Sequence, residues 1–333
     1  MTANTTDLRA IPTNIITGFL GVGKTSAILH LLKNKPSNER WAVLVNEFGE
    51  IGVDGNLLAG QYSEPQGVFI REVPGGCMCC AAGVPMQVAL NQLLTRAKPD
   101  RLLIEPTGLG HPKEVLKALS AKHYQTVLSI QKTLTLVDAR NLSNKRYTTH
   151  DTFNQQIAMA DTVIGNKLDL YQSDDKVNLK AYVKKHARPN TKVTFSHQGD
   201  IAPSLLEGKT ESQTLSSHHH HHKSDEKQLA ADQPMPACGF IKAINKGEGY
   251  TSIGWIFSPE KIFDYEKLSV FLKDIRVQRM KAVFITNHGK FSYNCTPDGL
   301  TEEVLNDCLE SRIEMISEYV DDKLEAQLMD CII

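Results

Sequence analysis

The stretch "GFLGVGKT", Gly18 to Thr25, decides the fold. It fits G-x-x-x-x-G-K-[ST] at every fixed position, a pattern that carries meaning only between a strand and a helix. Both flanks are present: "NIITGF", Asn14 to Phe19, is apolar and β-rich, and Thr25 to Leu32 has helical spacing. Gly18, Gly21 and Gly23 allow a curl of backbone whose N–H groups face phosphate oxygens. The helix starting near Lys24 aims its positive dipole end at the same oxygens. Lys24 is placed to neutralise β- and γ-phosphates, and the Thr25 hydroxyl to bind Mg²⁺. Val22 and Ser26 complete the expected cradle. The plain alternative is a Gly-rich turn with a surface lysine, and the two flanks argue against it.

Outward from this loop, short apolar runs alternate with helical patterns. "WAVLVN" (Trp41 to Asn46), "VFIREV" (Val68 to Val73), "RLLIEP" (Arg101 to Pro106), "TLTLVD" (Thr133 to Asp138), "TVIGNK" (Thr162 to Lys167) and "KVTFS" (Lys192 to Ser196) read as strands. Helical segments such as Val84 to Arg96 lie between them. This predicts an α/β P-loop domain with a mostly parallel sheet covered on both faces. In such a sheet ligands gather at the carboxyl ends of the strands, and the polar motifs fall there. "GNKLD" places Asn166, Lys167 and Asp169 after a late strand. An Asp169 carboxylate accepts from guanine N1–H and N2 but would repel adenine N1, so the nucleotide is expected to be GTP or GDP. Asn166 can bond guanine's other edge, and the Lys167 stem can lie over the ring. Ser196 and His197 follow the next strand and could close over the base, although His197 reads equally well as an exposed loop residue. "EPTGLG" supplies Glu105 for the magnesium or water shell and Gly108 as a backbone sensor of the γ-phosphate. Lys24, Thr25 and Glu105 are the candidate catalytic residues. "NEFGEIGVDG" occupies the place of a first switch, with Glu47, Glu50 and Asp54 among flexible glycines.

"VPGGCMCCAAG" then crowds Cys77, Cys79 and Cys80 into one Gly-flanked turn after the third strand. Neighbouring Cα atoms lie ~3.8 Å apart, too close for the usual disulfide. Three thiolates suit Zn²⁺ or Cu(I) and leave one tetrahedral position open. Glu50 is a candidate fourth ligand, alongside water or a client side chain. If a switch residue completes the site, hydrolysis can loosen the metal. A closed structural zinc staple is the plainer reading.

The chain has 333 residues, 37 basic and 38 acidic, for a net charge of -1. That balance gives no electrostatic case for nucleic acid or anionic membrane. With no spanning apolar run and no signal-like start, the expected location is cytoplasmic, where thiols stay reduced. The P-loop domain is expected over 1–206. A polar, low-complexity linker over 207–235 carries His218 to His222, read as loose metal capture. A smaller α+β domain is expected over 236–333. There "CGFIKAIN", "SIGWIF", "KAVFIT" and "KFSYN" read as strands, and "PEKIFDYEKLSVFLKDI" and "TEEVLNDCLESRIEMI" as helices. Cys238, Cys295, Cys308 and Cys331 read as small core residues, Trp255 and Phe257 as core. Arg279 and Lys281 read as a solvated face, with a partner surface as the alternative. His111 and His123 are weak candidates for a metal path.

"GFLGVGKT", "NEFGE", "GGCMCC", "EPTGLGHP" and "NKLD", in this order, resemble the CobW-like metal-chaperone GTPases over nearly the whole chain. The Cys-x-Cys-Cys element is the most specific of these motifs. The resemblance implies zinc at the Cys motif, slow GTP hydrolysis and delivery of zinc to client metalloproteins, with a metal- or nucleotide-dependent homo-oligomer as a further expectation. One departure is Val45, where many relatives carry a glutamate, which puts in doubt any accessory metal site that uses it. Rival readings are a GTPase whose zinc is purely structural, a metal store with negligible turnover, and cobalt as cargo.

Overall fold

A computed structural model of the chain describes residues 10–46, 64–73, 84–211, 234–247, 249–305, 308–319, 321 and 323–333. The chain divides into two compact units, one formed mainly by residues 10–211 and the other by residues from 234 onward. The first contains β1 (Ile11–Gly18), β2 (Trp41–Asn46), β3 (Val68–Val73), β4 (Arg101–Glu105), β5 (Leu128–Val137), β6 (Thr162–Gly165) and β7 (Lys192–Phe195). They form one sheet in the order β3-β2-β4-β1-β5-β6-β7. The pairings β2–β4, β4–β1, β1–β5, β5–β6 and β6–β7 are all parallel. The expected α/β class holds. Helices α1 (Lys24–Lys33), α2 (Val84–Ala97), α3 (Pro112–Leu119), α4 (Lys145–Thr148), α5 (Asp151–Ala158) and α6 (Asp175–His186) connect the strands. In α2, Met86, Ala89, Leu90, Leu93, Leu94 and Ala97 are buried, a stripe at helical spacing facing the sheet side.

β1 starts earlier than its apolar core suggests, at Ile11, and runs through Pro12. Proline cannot donate to a ladder, and the register of β1 against β5 shifts between Thr13 and Ile15. The bulge seats Asn14, which is fully buried. Its Nδ2 donates to Lys132 O (3.0 Å) and Leu206 O (2.8 Å), and its Oδ1 accepts from Arg101 Nη1 (2.8 Å). The Arg101 guanidinium also reaches Glu207 and lies 5.5 Å from the Trp41 ring centre. Glu207 and Lys209, which bridges Gln131, are therefore tied to this unit.

The second unit is a six-stranded antiparallel sheet in the order β12-β11-β10-β13-β9-β8. Its strands are β8 (Phe240–Gly247), β9 (Tyr250–Phe257), β10 (Arg279–Thr286), β11 (Gly289–Thr296), β12 (Gly299–Val304) and β13 (Ser311–Ser317). Helices α7 (Tyr265–Asp274) and α8 (Leu324–Met329) pack Leu268, Phe271, Leu272 and Leu328 against Trp255, Phe257, Phe284 and Met315. Trp255 and Phe257 are core, as expected.

Three expectations fail in this unit. "TEEVLNDCLESRIEMI" is not a helix but two strands, β12 and β13. Its apolar residues do recur at helical spacing, yet Ile313 and Met315 alternate with Arg312 and Glu314 and enter the core as β13 pairs with β9 and β10. Tertiary pairing overrides a local period that fits both structures. Arg279 and Lys281 are buried in β10, with Lys281 opposite the buried Glu314, so they form no solvated face. Cys238 is exposed, whereas Cys295 and Cys331 are buried and Cys308 half-buried. Burial pushes the Cys331 thiol up to about 11 and raises that of Cys295, which keeps both protonated and inert.

Asn14→Leu should destabilise the protein by about 3 kcal/mol, because it strands two carbonyls and a guanidinium in the interior. Denaturant unfolding checks this. A loss under about 1 kcal/mol would show that the bulge is held by other contacts.

Candidate functional site

The site lies at the carboxyl edge of the parallel sheet, where β1 sits between β4 and β5 and the strand order reverses direction. Gly18 ends β1 with φ +146°, and a Cβ there would stand 2.4 Å from Leu136 O of β5. Gly21 and Gly23 have φ of +70° and +93°. Gly23 is the N-cap of α1 and no side chain caps that end. The first N–H groups of α1 have no partner within the helix, so the loop presents donors and a positive dipole end together. An anion fits this cradle. Lys24 is 6% exposed and its Nζ donates to Phe19 O at 3.2 Å. A phosphate beside it would offset the cost of burying the ammonium.

Thr25 and Glu105 meet across the same edge. The Thr25 hydroxyl donates to Glu105 Oε1 at 3.1 Å, and both side chains are buried. A hydroxyl and a carboxylate at hydrogen-bond distance are oxygen donors of the kind Mg²⁺ prefers. The turn after β4 folds back on the loop. A Cβ on Gly108 would lie 3.1 Å from both Leu20 N and Lys24 Nζ.

The far wall comes from the loops after β6 and β7. Asn166 is buried, its Nδ2 donates to Val22 O (2.9 Å), and the Gly199 N–H donates to its Oδ1 (3.1 Å). The amide thus ties the phosphate loop to the loop after β7, a brace rather than only a reader of the base. Gly199 has φ +77°, and a Cβ there would strike Ala27 N at 2.6 Å. Lys167 adopts φ +61° and Gln198 φ +50°, two of the four left-handed non-glycine residues among those described. Backbone strain of this kind collects where a loop must take one shape. Lys167 Nζ is 3.7 Å from Asp138 Oδ2, and Asp138 in turn holds Arg140. Asp169 is exposed, leaving its carboxylate open to a ligand. Ser196 is buried with its Oγ donating to Asp200 O, and His197 is exposed.

Lys24, Thr25, Glu105, Gly108 and Asn166 are therefore brought together. Lys167 and Asp169 stand on the loop that Asn166 begins. Glu50, Cys77, Cys79 and Cys80 lie outside the described residues, as do Glu47, Asp54 and His218 to His222. β3 ends at Val73, shortly before the Cys motif in the sequence. His111 is accounted for by a 2.8 Å contact between its Nδ1 and Gln155 Oε1, and His123 packs on Tyr124. Val45 is buried inside β2. Two residues escaped the sequence reading. Asp138 ends an apolar strand and carries no motif, and Gln156 lies within a short helix. The only signal for Gln156 is its place on the buried stripe of α5 with Phe153 and Ile157.

Residues 12–195 match the family described as CobW/HypB/UreG, nucleotide-binding domain. The chain belongs to the CobW/HypB/UreG family. Among its relatives, the zinc chaperone YeiR of Escherichia coli K12 is 40% identical over 312 residues, 92% of each chain. The zinc chaperone CobW of Pseudomonas aeruginosa is 28% identical over 227 residues, 60% of each. The crystal structure of Zn(II)-bound YjiA GTPase from E. coli is 19% identical, covers 97% of this chain and 99% of that one, and superposes with a TM-score of 0.44. The cradle after β1 lies within the span that matches this nucleotide-binding domain.

Asn166→Ala should weaken nucleotide binding at least about tenfold, since it frees the phosphate loop from the loop after β7. Titration with a fluorescent nucleotide checks this. An unchanged affinity would mean that the brace has no part in binding.

Proposed function

We propose that this protein is a zinc-binding GTPase that acts as a metallochaperone, using GTP hydrolysis to control loading or release of zinc. The observation that carries the reading is the Lys24–Thr25–Glu105 constellation, in a chain that shares 40% identity with a zinc chaperone across nearly its whole length. In the reaction, water oxygen bonds to the γ-phosphorus while the β–γ bridging bond breaks. GDP leaves with that electron pair, and the proton of water ends on phosphate. Lys24 and the N–H groups at the start of α1 stabilise charge growing on the phosphate oxygens. Bound magnesium would add charge neutralisation between the β- and γ-phosphates, with Thr25 and Glu105 as the residues that hold it or its waters. Asp169 selects guanine.

Zinc is cargo rather than a resident cofactor in this reading. Cys77, Cys79 and Cys80 supply three soft ligands and Glu50 a fourth from the first switch. Loss of the γ-phosphate would release that switch and open the zinc shell. The recipient is a client metalloprotein. Clustered reduced thiols support a cytoplasmic location. No described helix is long and apolar enough to cross a membrane.

The test uses a panel of nucleoside triphosphates and a zinc assay. Native protein should hydrolyse GTP over ATP by at least about a hundredfold, because the base site rejects adenine through an unmatched polar contact. Asp169→Asn should shift the preference towards xanthosine triphosphate, whose 2-oxo group accepts from the new amide. The Cys77/Cys79/Cys80→Ala variant should lose the tight zinc equivalent. Retained guanine preference in the first variant, or retained tight zinc in the second, would contradict the assignment of those residues.

A further inference from the structure

Gln156, on α5, is 1% exposed and reaches away from its helix to the turn that follows β4. Its Nε2 donates to Gly108 O at 3.1 Å and reaches Gly110 O at 3.5 Å. One amide thereby grips two carbonyls of one tight turn, which is itself closed by Gly110 N–H donating to Thr107 O at 2.9 Å. The grip is rigid from behind. Gln156 O accepts from the hydroxyl of Thr135, which is fully buried near the end of β5. The neighbouring residue repeats the stitch, with Gln155 Oε1 2.8 Å from Nδ1 of His111. Two consecutive glutamines therefore hold both ends of the segment from Gly108 to His111.

The stability of the core does not by itself account for the amide. Gln156 Oε1 is buried and takes no hydrogen bond among the described residues. An orphaned buried carbonyl destabilises and offsets part of what the two Nε2 hydrogen bonds contribute. What the orphan accompanies is a fixed orientation of the Gly108 carbonyl, and with it the peptide planes of a turn whose Gly108 packs against Leu20 N and Lys24 Nζ.

We infer that Gln156 is a positioning residue that sets how the Thr107–Gly110 turn meets the γ-phosphate, and so sets discrimination between GTP and GDP. It does not touch the nucleotide and acts only through the turn. This rests on the GTPase reading above. GDP lacks the γ-phosphate, so its binding through the cradle after β1 should be indifferent to the clamp.

The experiment measures affinities for GDP and for a non-hydrolysable GTP analogue, with Mg²⁺, for native full-length protein, Gln156→Met and Gln156→Leu. Met matches the length and donates nothing. Leu is shorter and likewise donates nothing. The expected result is a five- to tenfold fall in the preference for the analogue in both variants, with GDP affinity within twofold of native and a lowered melting temperature, because two buried carbonyls lose their donor. The kcat for GTP should fall by a similar factor. Equal loss of both nucleotides, or an unchanged preference, would overturn the clamp while leaving the GTPase reading intact. If Met fails to fold, Leu and the GDP control decide the matter alone. Native protein that binds neither nucleotide would overturn the GTPase reading, and the clamp with it.

Discussion

The site exists because four backbone segments approach one another more closely than side chains allow. The backbone at Gly18 lies against Leu136 O, Gly23 against the Asn166 amide, and Gly199 against the first turn of α1. At each of these a Cβ would stand at 2.4–2.6 Å from an atom of the neighbouring segment. All three glycines also have positive φ, so close approach and backbone conformation demand the same residue. The ends of β1, β5, β6 and β7 are thus locked into a single pocket wall made largely of main chain. Such a wall binds phosphate by N–H groups and helix dipole, and it leaves the side chains free for selectivity and for metal.

Several candidate site residues are attached to this wall by short contacts. Glu105 reaches it through Thr25, the turn at Gly108 rests on Leu20 and Lys24, and Gln156 holds that turn from the opposite side. These contacts link β4, α1 and α5 without any long side-chain chain between them. A γ-phosphate placed in the cradle would have a short route to Glu105 and to the Gly108 turn, the residues proposed to sense it. Zinc transfer timed by hydrolysis needs such a route, because a ligand shifts an equilibrium only by its differential contacts with the two states.

Much of this was legible in the sequence. The phosphate loop, "EPTG" and "NKLD" each combine a residue type with a strand end, and strand ends are visible in apolar runs. The parallel sheet follows from that alternation. What could not be read falls into two kinds. Some patterns fit two structures: the apolar spacing of "TEEVLNDCLESRIEMI" suits a helix until β9 and β10 offer β13 its ladder. Other roles exist only across space. Asn166 reads as a base contact because of its motif, yet its amide bonds Val22, 144 residues away. Gln156 has no motif, and its partner is a carbonyl 48 residues away. Arg279 and Lys281 look solvated for the same reason, since charge alone cannot reveal that Glu314 will be buried opposite Lys281.

The central claim is that nucleotide state governs the hold on zinc. It is tested most directly by competing zinc away with a chelating dye, from protein loaded with GDP and from protein loaded with a non-hydrolysable GTP analogue. The account predicts that zinc affinity at the Cys77/Cys79/Cys80 site differs at least tenfold between the two, about 1.4 kcal/mol of coupling. The same affinity in both states would contradict it, and would make the cysteines a structural or storage site beside an independent GTPase.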